Sequence, residues 1–146
     1  MAYATQADMV SRFGTDQLVE ITDRADPPTG AIDATALGGA LDDAESEIDS
    51  YIMGRYTLPL ANPPQVLTRL ACDMARYYLA ADRVTGIITQ RYSDAVKFLQ
   101  AVAAGRASLG IDDGQTETPP SAGPAILPGN SVYSASSTPI QDFLSL

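Results

Sequence analysis

Five carboxylates fall within eight positions, Asp42, Asp43, Glu45, Glu47 and Asp49. Converging, such a set binds a hard divalent cation through oxygen; paired at unequal pKa, two of them act as general acid and general base. A second charged group is basic: Arg69, Arg76 and Arg83 recur every seven residues, which returns a side chain to one face of a helix. Arginines in that array bind carboxylate or phosphate. Cys72 is the only cysteine, so no intramolecular disulfide forms. It is a nucleophile only if neighbouring cations lower its pKa. Histidine is absent from the chain, and with it the commonest general base and transition-metal ligand. No cofactor or metal is expected, and no enzymatic activity.

The elements that carry these groups decide between the readings. Asp33 is placed to cap a helix, with Ile32 and Leu37 at the two positions of a hydrophobic staple. Leu37, Leu41, Ala44, Ile48, Tyr51 and Arg55 then recur in steps of four and three, joined by Ile52, and define a buried seam. Gly54 stands where a left-handed glycine would stop the helix. On this helix Asp42, Glu45 and Asp49 occupy one flank and Asp43 and Glu47 the other, so the five fan around the seam. They lack the glycine and spacing of a calcium loop. The reading is a solvated or interface charge face. Gly38 and Gly39 interrupt the first turns, each at a cost of about 1 kcal/mol relative to alanine. Either that turn is loose or another backbone comes close.

Other helices are punctuated in the same way. Thr5 and Asp8 form a capping box ahead of Met9, Val10 and Phe13, with a stop at Gly14. Thr15 is expected to cap a second short helix, and the stretch DRADPPTG to form a loop. After Gly54, Tyr56, Leu58 and Leu60 alternate with Thr57 and Pro59 in an extended strap. Asn62 is expected to cap the next helix with Pro63 at its first position. There Leu67, Leu70, Met74, Tyr77 and Ala81 step by three and four, widened by Val66, Ala71 and Tyr78. This most hydrophobic helix is expected at the centre. The arginine stripe lies away from its apolar face, and its complement is an acidic flank of the helix at 33–55, in the same subunit or the next. Cys72, on that arginine side, reads as a packed thiol. Thr85 caps a last helix with Ile88, Tyr92, Ala95, Leu99 and Val102 as its seam and Gly105 as its stop. Phosphate-loop glycine patterns are absent, and no helix is rich enough in Lys, Arg, Asn or Gln to read DNA bases.

A chain of 146 residues builds one modest core. Its charge of −9, from 9 basic and 18 acidic residues, repels nucleic acid phosphate and anionic membrane. It remains compatible with a wall past which DNA slides without sticking. The N-terminal MAYATQADM has neither the basic nor the apolar region of a signal peptide, and no run approaches a membrane span, so synthesis in the cytoplasm is expected. The chain divides by character into a helical core, 1–111, and an arm, 112–146. In the arm 17 of 35 residues are Pro, Gly, Ser or Thr, and none is Lys or Arg. Such a segment does not fold alone. It ends in IQDFLSL, so Ile140, Phe143, Leu144 and Leu146, with Val132 and Tyr133 in an extended stretch, are expected to order against a partner. The expected fold is all-α, a small bundle of four to five helices with an extended C-terminal arm.

Across residues 2 to about 110 the chain resembles the Mu-like phage head-to-tail connector proteins, an adaptor family. The resemblance rests on AYATQADMVSRFGTDQLVEITD, on AIDATAL with SEIDSYIMGRYTLPL, on RLACDMARYYL, and on the final helix RYSDAVKFLQAVAAGRASLG. It implies a ring, commonly twelve-fold, of copies beneath the portal protein in the virion neck, extending the channel for double-stranded DNA. It also implies a platform for a neck or tail-terminator protein, and no sequence-specific DNA binding or membrane contact. On that reading the arm residues touch portal or a neighbouring copy, and Asp42, Asp43, Glu45, Glu47, Asp49, Arg69, Arg76 and Arg83 make intersubunit contacts or line the channel. A head-completion or tail-terminator ring is the alternative within the particle. A small acidic regulator of a basic host protein is the alternative of another class.

Overall fold

The computed structural model describes residues 2–111. Five α-helices follow one another, α1 Gln6–Phe13, α2 Thr15–Thr22, α3 Ala34–Ile52, α4 Gln65–Ala80 and α5 Gly86–Ala103, with a 3₁₀ turn at Ala81–Arg83. No strand occurs among the described residues. The fold is an all-α bundle, as expected. Helices α3, α4 and α5 pack on one another, and the short pair α1 and α2 closes over α4.

Local chemistry explains the boundaries. The Thr5 hydroxyl accepts from the Asp8 N–H at 3.3 Å, and the Asp8 carboxylate accepts from the Thr5 N–H at 2.8 Å, a complete capping box. The Thr5 hydroxyl first, then the Thr5 N–H, each donating to the Asp8 carboxylate at 2.8 Å, hold that carboxyl below its ordinary pKa. Gly14 ends α1 and is also the N-cap of α2, so Thr15 is the first helical residue there and supplies no side-chain cap. Asp33 caps α3 by accepting from the Thr35 and Ala36 N–H groups at 2.9 and 3.1 Å. Gly54, expected to be left-handed, is not among the positive-φ glycines. Helix α3 instead ends at Met53 in right-handed geometry and tightens through Arg55 and Tyr56 N–H bonds to the Ile52 carbonyl.

Helix α4 begins later than Asn62 suggests. Pro64 is its N-cap, with no side-chain cap, because a proline in extended geometry presents its carbonyl to the Leu67 N–H at 2.9 Å. At α5 Thr85 does occupy the N-cap, but through its carbonyl and not its hydroxyl. The other end is a Schellman turn: Gly105, at φ 78°, bonds back to Val102, and Arg106 bonds to Ala101. The positive φ is what calls for glycine here; a Cβ would in addition come 3.0 Å from the mobile end of Arg55, at Nη1. That arginine donates to the Val102 carbonyl at 3.1 Å.

The core is one cluster. Leu37, Ala40, Ala44, Ile48 and Ile52 form the buried seam of α3, with Leu41 and Tyr51 half-buried on its edges. Helix α4 is enclosed on most sides; Leu67, Leu70, Met74, Cys72 and even Asp73 are buried. In the strap, Tyr56 and Leu60 are buried and Leu58 half-buried, while Thr57 and Pro59 are exposed. The Tyr56 hydroxyl accepts from the Leu109 N–H at 3.1 Å, fastening the strap to the segment after α5. No helix among the described residues is long and apolar enough to cross a membrane.

Candidate functional site

Helix α3 separates its carboxylates by depth. Glu47, half-buried, accepts from two tyrosine hydroxyls, Tyr78 of α4 and Tyr92 of α5, the latter at 3.0 Å to Oε1. Tyr77 stacks on Tyr92 with ring centroids 4.1 Å apart, and Tyr78 meets both edge-on. Burial first, then the bond to Glu47, push the Tyr92 hydroxyl up to about 12. Asp49 accepts from the Tyr3 hydroxyl, whose pKa also rises, chiefly through burial. Glu45, half-buried, adds to the negative field at Tyr3. Asp42 and Asp43 point to solvent. Two of the five carboxylates thus hold helices and the N-terminal segment together, which the sequence had not indicated. The tyrosines lie 31 and 45 residues from Glu47. A usable signal existed in Tyr78 and Tyr92 on the apolar faces of two helices, because buried tyrosine hydroxyls require an acceptor.

The arginine stripe turns away from α3. Arg76 lies over the Phe13 ring of α1, 4.6 Å from its centroid, a cation–π contact. Its Nε is buried without a hydrogen-bond partner among the described residues. Burial, followed by the Arg91 cation, lowers its pKa. Arg83 donates to the Glu20 carbonyl of α2 at 3.3 Å. Arg69 is exposed beside a cleft of about 240 Å³ formed with Leu70, Asp73, Arg91, Asp94 and Ala95. Pairing of the stripe with α3 inside one subunit is therefore not what the structure contains. The reason is angular: Arg69 precedes Tyr78 by nine residues, about two and a half helical turns, which sets it half a turn from the α3 contact.

Cys72 is fully buried, and that burial pushes its thiol up to about 11, outweighing the nearby Arg12. It is a packed residue, not an activated nucleophile. Among the described residues no three or more Cys, Asp or Glu side chains gather as a metal site would require. A larger cleft, about 430 Å³, lies where α2 and the following loop meet the end of α4. Arg24 crosses it to donate to the Leu79 carbonyl at 2.9 Å. The expected arm contacts, Val132, Tyr133, Ile140, Phe143, Leu144 and Leu146, lie outside the described residues.

With this geometry in view, the chain compares as follows. The family model described as "Bacteriophage Mu, Gp36" matches residues 3–126. The Mu-like prophage FluMu protein gp36 of Haemophilus influenzae is 40% identical over 111 residues, 76% of this chain and 77% of that protein. Gene product J of Escherichia phage Mu is 34% identical over 119 residues, 82% of this chain and 84% of that protein. The match spans every described helix, and the chain belongs to the bacteriophage Mu Gp36 family of phage proteins.

Proposed function

We propose that the protein is a head-to-tail connector: copies form a ring beneath the portal, continue the DNA channel and offer a docking platform to the next neck or tail protein. It acts by shape and charge and catalyses no reaction, and its place is the virion neck. The observation that carries this reading is the disposition of charge on a Mu-family core. Its more deeply set carboxylates, Glu47 and Asp49, take tyrosine hydroxyls, whereas Asp42, Asp43 and Arg69 are presented outward. Groups buried in mutual hydrogen bonds hold a fold, and groups displayed on opposite sides of a small rigid bundle suit contacts with other subunits. The negative total charge, −9, suits a conduit wall that must not retain DNA.

The arm at 112–146 is assigned to portal or to a neighbouring copy. Co-sedimentation of purified protein with portal-bearing capsids tests both claims. Full-length protein is expected to co-sediment, and protein lacking 112–146 is expected to stay folded and remain in the supernatant. Binding to tail tubes instead of portal would favour a tail-terminator ring, and binding to neither would favour the regulator.

A further inference from the structure

Packing inside the subunit explains neither the glycines nor the acidic ridge of α3. Gly38 and Gly39 lie in continuous helix, and a Cβ built at either position would meet nothing within 4 Å. Nothing described demands glycine there, yet each lowers helix stability by about 1 kcal/mol relative to alanine. One turn on, Asp42 and Asp43 are exposed. Next to them Ser46 and Ser50 fold their hydroxyls back onto the Asp42 and Glu47 carbonyls, at 2.9 and 2.6 Å. The outer face of α3 is a low ridge of small residues bearing two outward carboxylates. It is shaped for a second surface to approach closely, and charged so that this surface must be basic.

Among the described residues a surface that presents guanidinium lies away from α3. At the α4–α5 cleft Arg69 is exposed, and Arg91 is 56% exposed while contacting Asp73 at 3.6 Å. The Asp73 side chain is only 10% exposed behind them, and Asp94 on the same cleft accepts from Gln90 Nε2 at 2.8 Å. Among the described residues Arg69 is therefore the guanidinium presented to solvent with no carboxylate of its own. Because ridge and cleft face apart, one copy cannot bring them together. We infer that the α3 ridge of one copy docks on the Arg69–Arg91 cleft of the next, a head-to-tail contact between two different faces. Repeated contacts of this kind close into a ring when the rotation allows. Close approach over the glycines supplies the packing, and the charges set direction and partner choice. The inference deepens the ring reading and rests on it for closure.

The test is a charge exchange between copies, read by sedimentation velocity of full-length protein at low salt. Asp42→Arg with Asp43→Arg turns the ridge basic, so that it repels Arg69 of the next copy. Arg69→Glu makes both faces more acidic, with Arg91 kept to face the buried Asp73. Each variant alone is expected to sediment as monomer at concentrations where the natural protein associates, and a one-to-one mixture is expected to restore the assembly. Undiminished association of either variant alone, failure of the mixture, or a natural protein that stays monomeric to its solubility limit overturns the proposal.

Gly38→Ala with Gly39→Ala gives an independent reading, with the opposite sign for monomer and assembly. The monomer is expected to melt higher while association weakens by at least tenfold. A higher melting point with unchanged association overturns the close approach. Portal binding of the same samples separates the two claims: loss of the head-to-tail assembly with portal binding intact rejects this interface alone. A correct exchange pattern without portal binding rejects the connector reading and supports the interface.

Discussion

The first and last carboxylates of the acidic run on α3 are the same residue types within eight positions and are put to opposite uses. Glu47 and Asp49 lie toward the bundle and accept tyrosine hydroxyls, whereas Asp42 and Asp43 face water. Asp42 and Asp49 are seven residues apart and Asp43 and Glu47 four, so each pair shares a flank. What separates them is position along the helix, where Asp49 reaches Tyr3 and Glu47 reaches Tyr78 and Tyr92, and that position decides energetics. A half-buried carboxylate that accepts from two tyrosine hydroxyls of neighbouring helices contributes to stability by tying those helices together. An exposed one contributes almost nothing to the stability of the bundle. A charge run read as a single feature is two features once the helix is placed.

The comparison breaks most visibly if the shared core does not set the scale. Met74→Ala, at a fully buried position on the central helix, is expected to lower stability by about 2–5 kcal/mol, measured by urea unfolding. Glu47→Ala comes next. It leaves the Tyr78 and Tyr92 hydroxyls without their acceptor, for an expected loss of about 1–3 kcal/mol by the same measurement. Equal effects of Glu47→Ala and Asp42→Ala would erase the distinction between the tyrosine-bonded and the exposed carboxylates.

The tyrosines predict a pH signature. The folded-state pKa of Tyr92 is about 12, above its ordinary value near 10, so the folded state holds this proton more tightly than the unfolded chain. That contribution is complete below about pH 10 and is lost as pH rises toward 12. The Cys72 thiol, pushed up to about 11, acts in the same direction over a lower window. Stability measured from pH 8 upward is expected to fall through this range, and Tyr92→Phe is expected to flatten the upper part of the fall. Smallest of all, Asp42→Ala and Asp43→Ala are each expected to change monomer stability by no more than about 0.5 kcal/mol, as surface substitutions do.

Much of the bundle was legible because its signals are local. The Thr5–Asp8 box, the Asp33 cap, the alternation of Tyr56, Leu58 and Leu60, and the Gly105 stop each work through contacts within a few residues. The errors occurred where several local solutions compete. Asn62, Pro63 and Pro64 all suit a helix start, and only packing of α4 chooses Pro64. Gly54 is permissive but not obliged, and α3 ends by right-handed turns instead. The direction of the arginine stripe depends on which side of α4 receives α1 and α5, a long-range matter that seven-residue spacing does not encode. For the same reason the Tyr78–Glu47–Tyr92 cluster could be assembled only from three helices in place. Membership of a Mu phage family was readable in the wording of the segments, above all the strap after α3, and the family match agrees with it.

The connector reading stands or falls most directly on where the assembled protein sits. Negative-stain imaging of the full-length protein added to portal-bearing capsids is expected to show a ring seated at the portal vertex, coaxial with the channel. Capsids left bare at that vertex, with the protein found on tail tubes or remaining as single subunits, would contradict it.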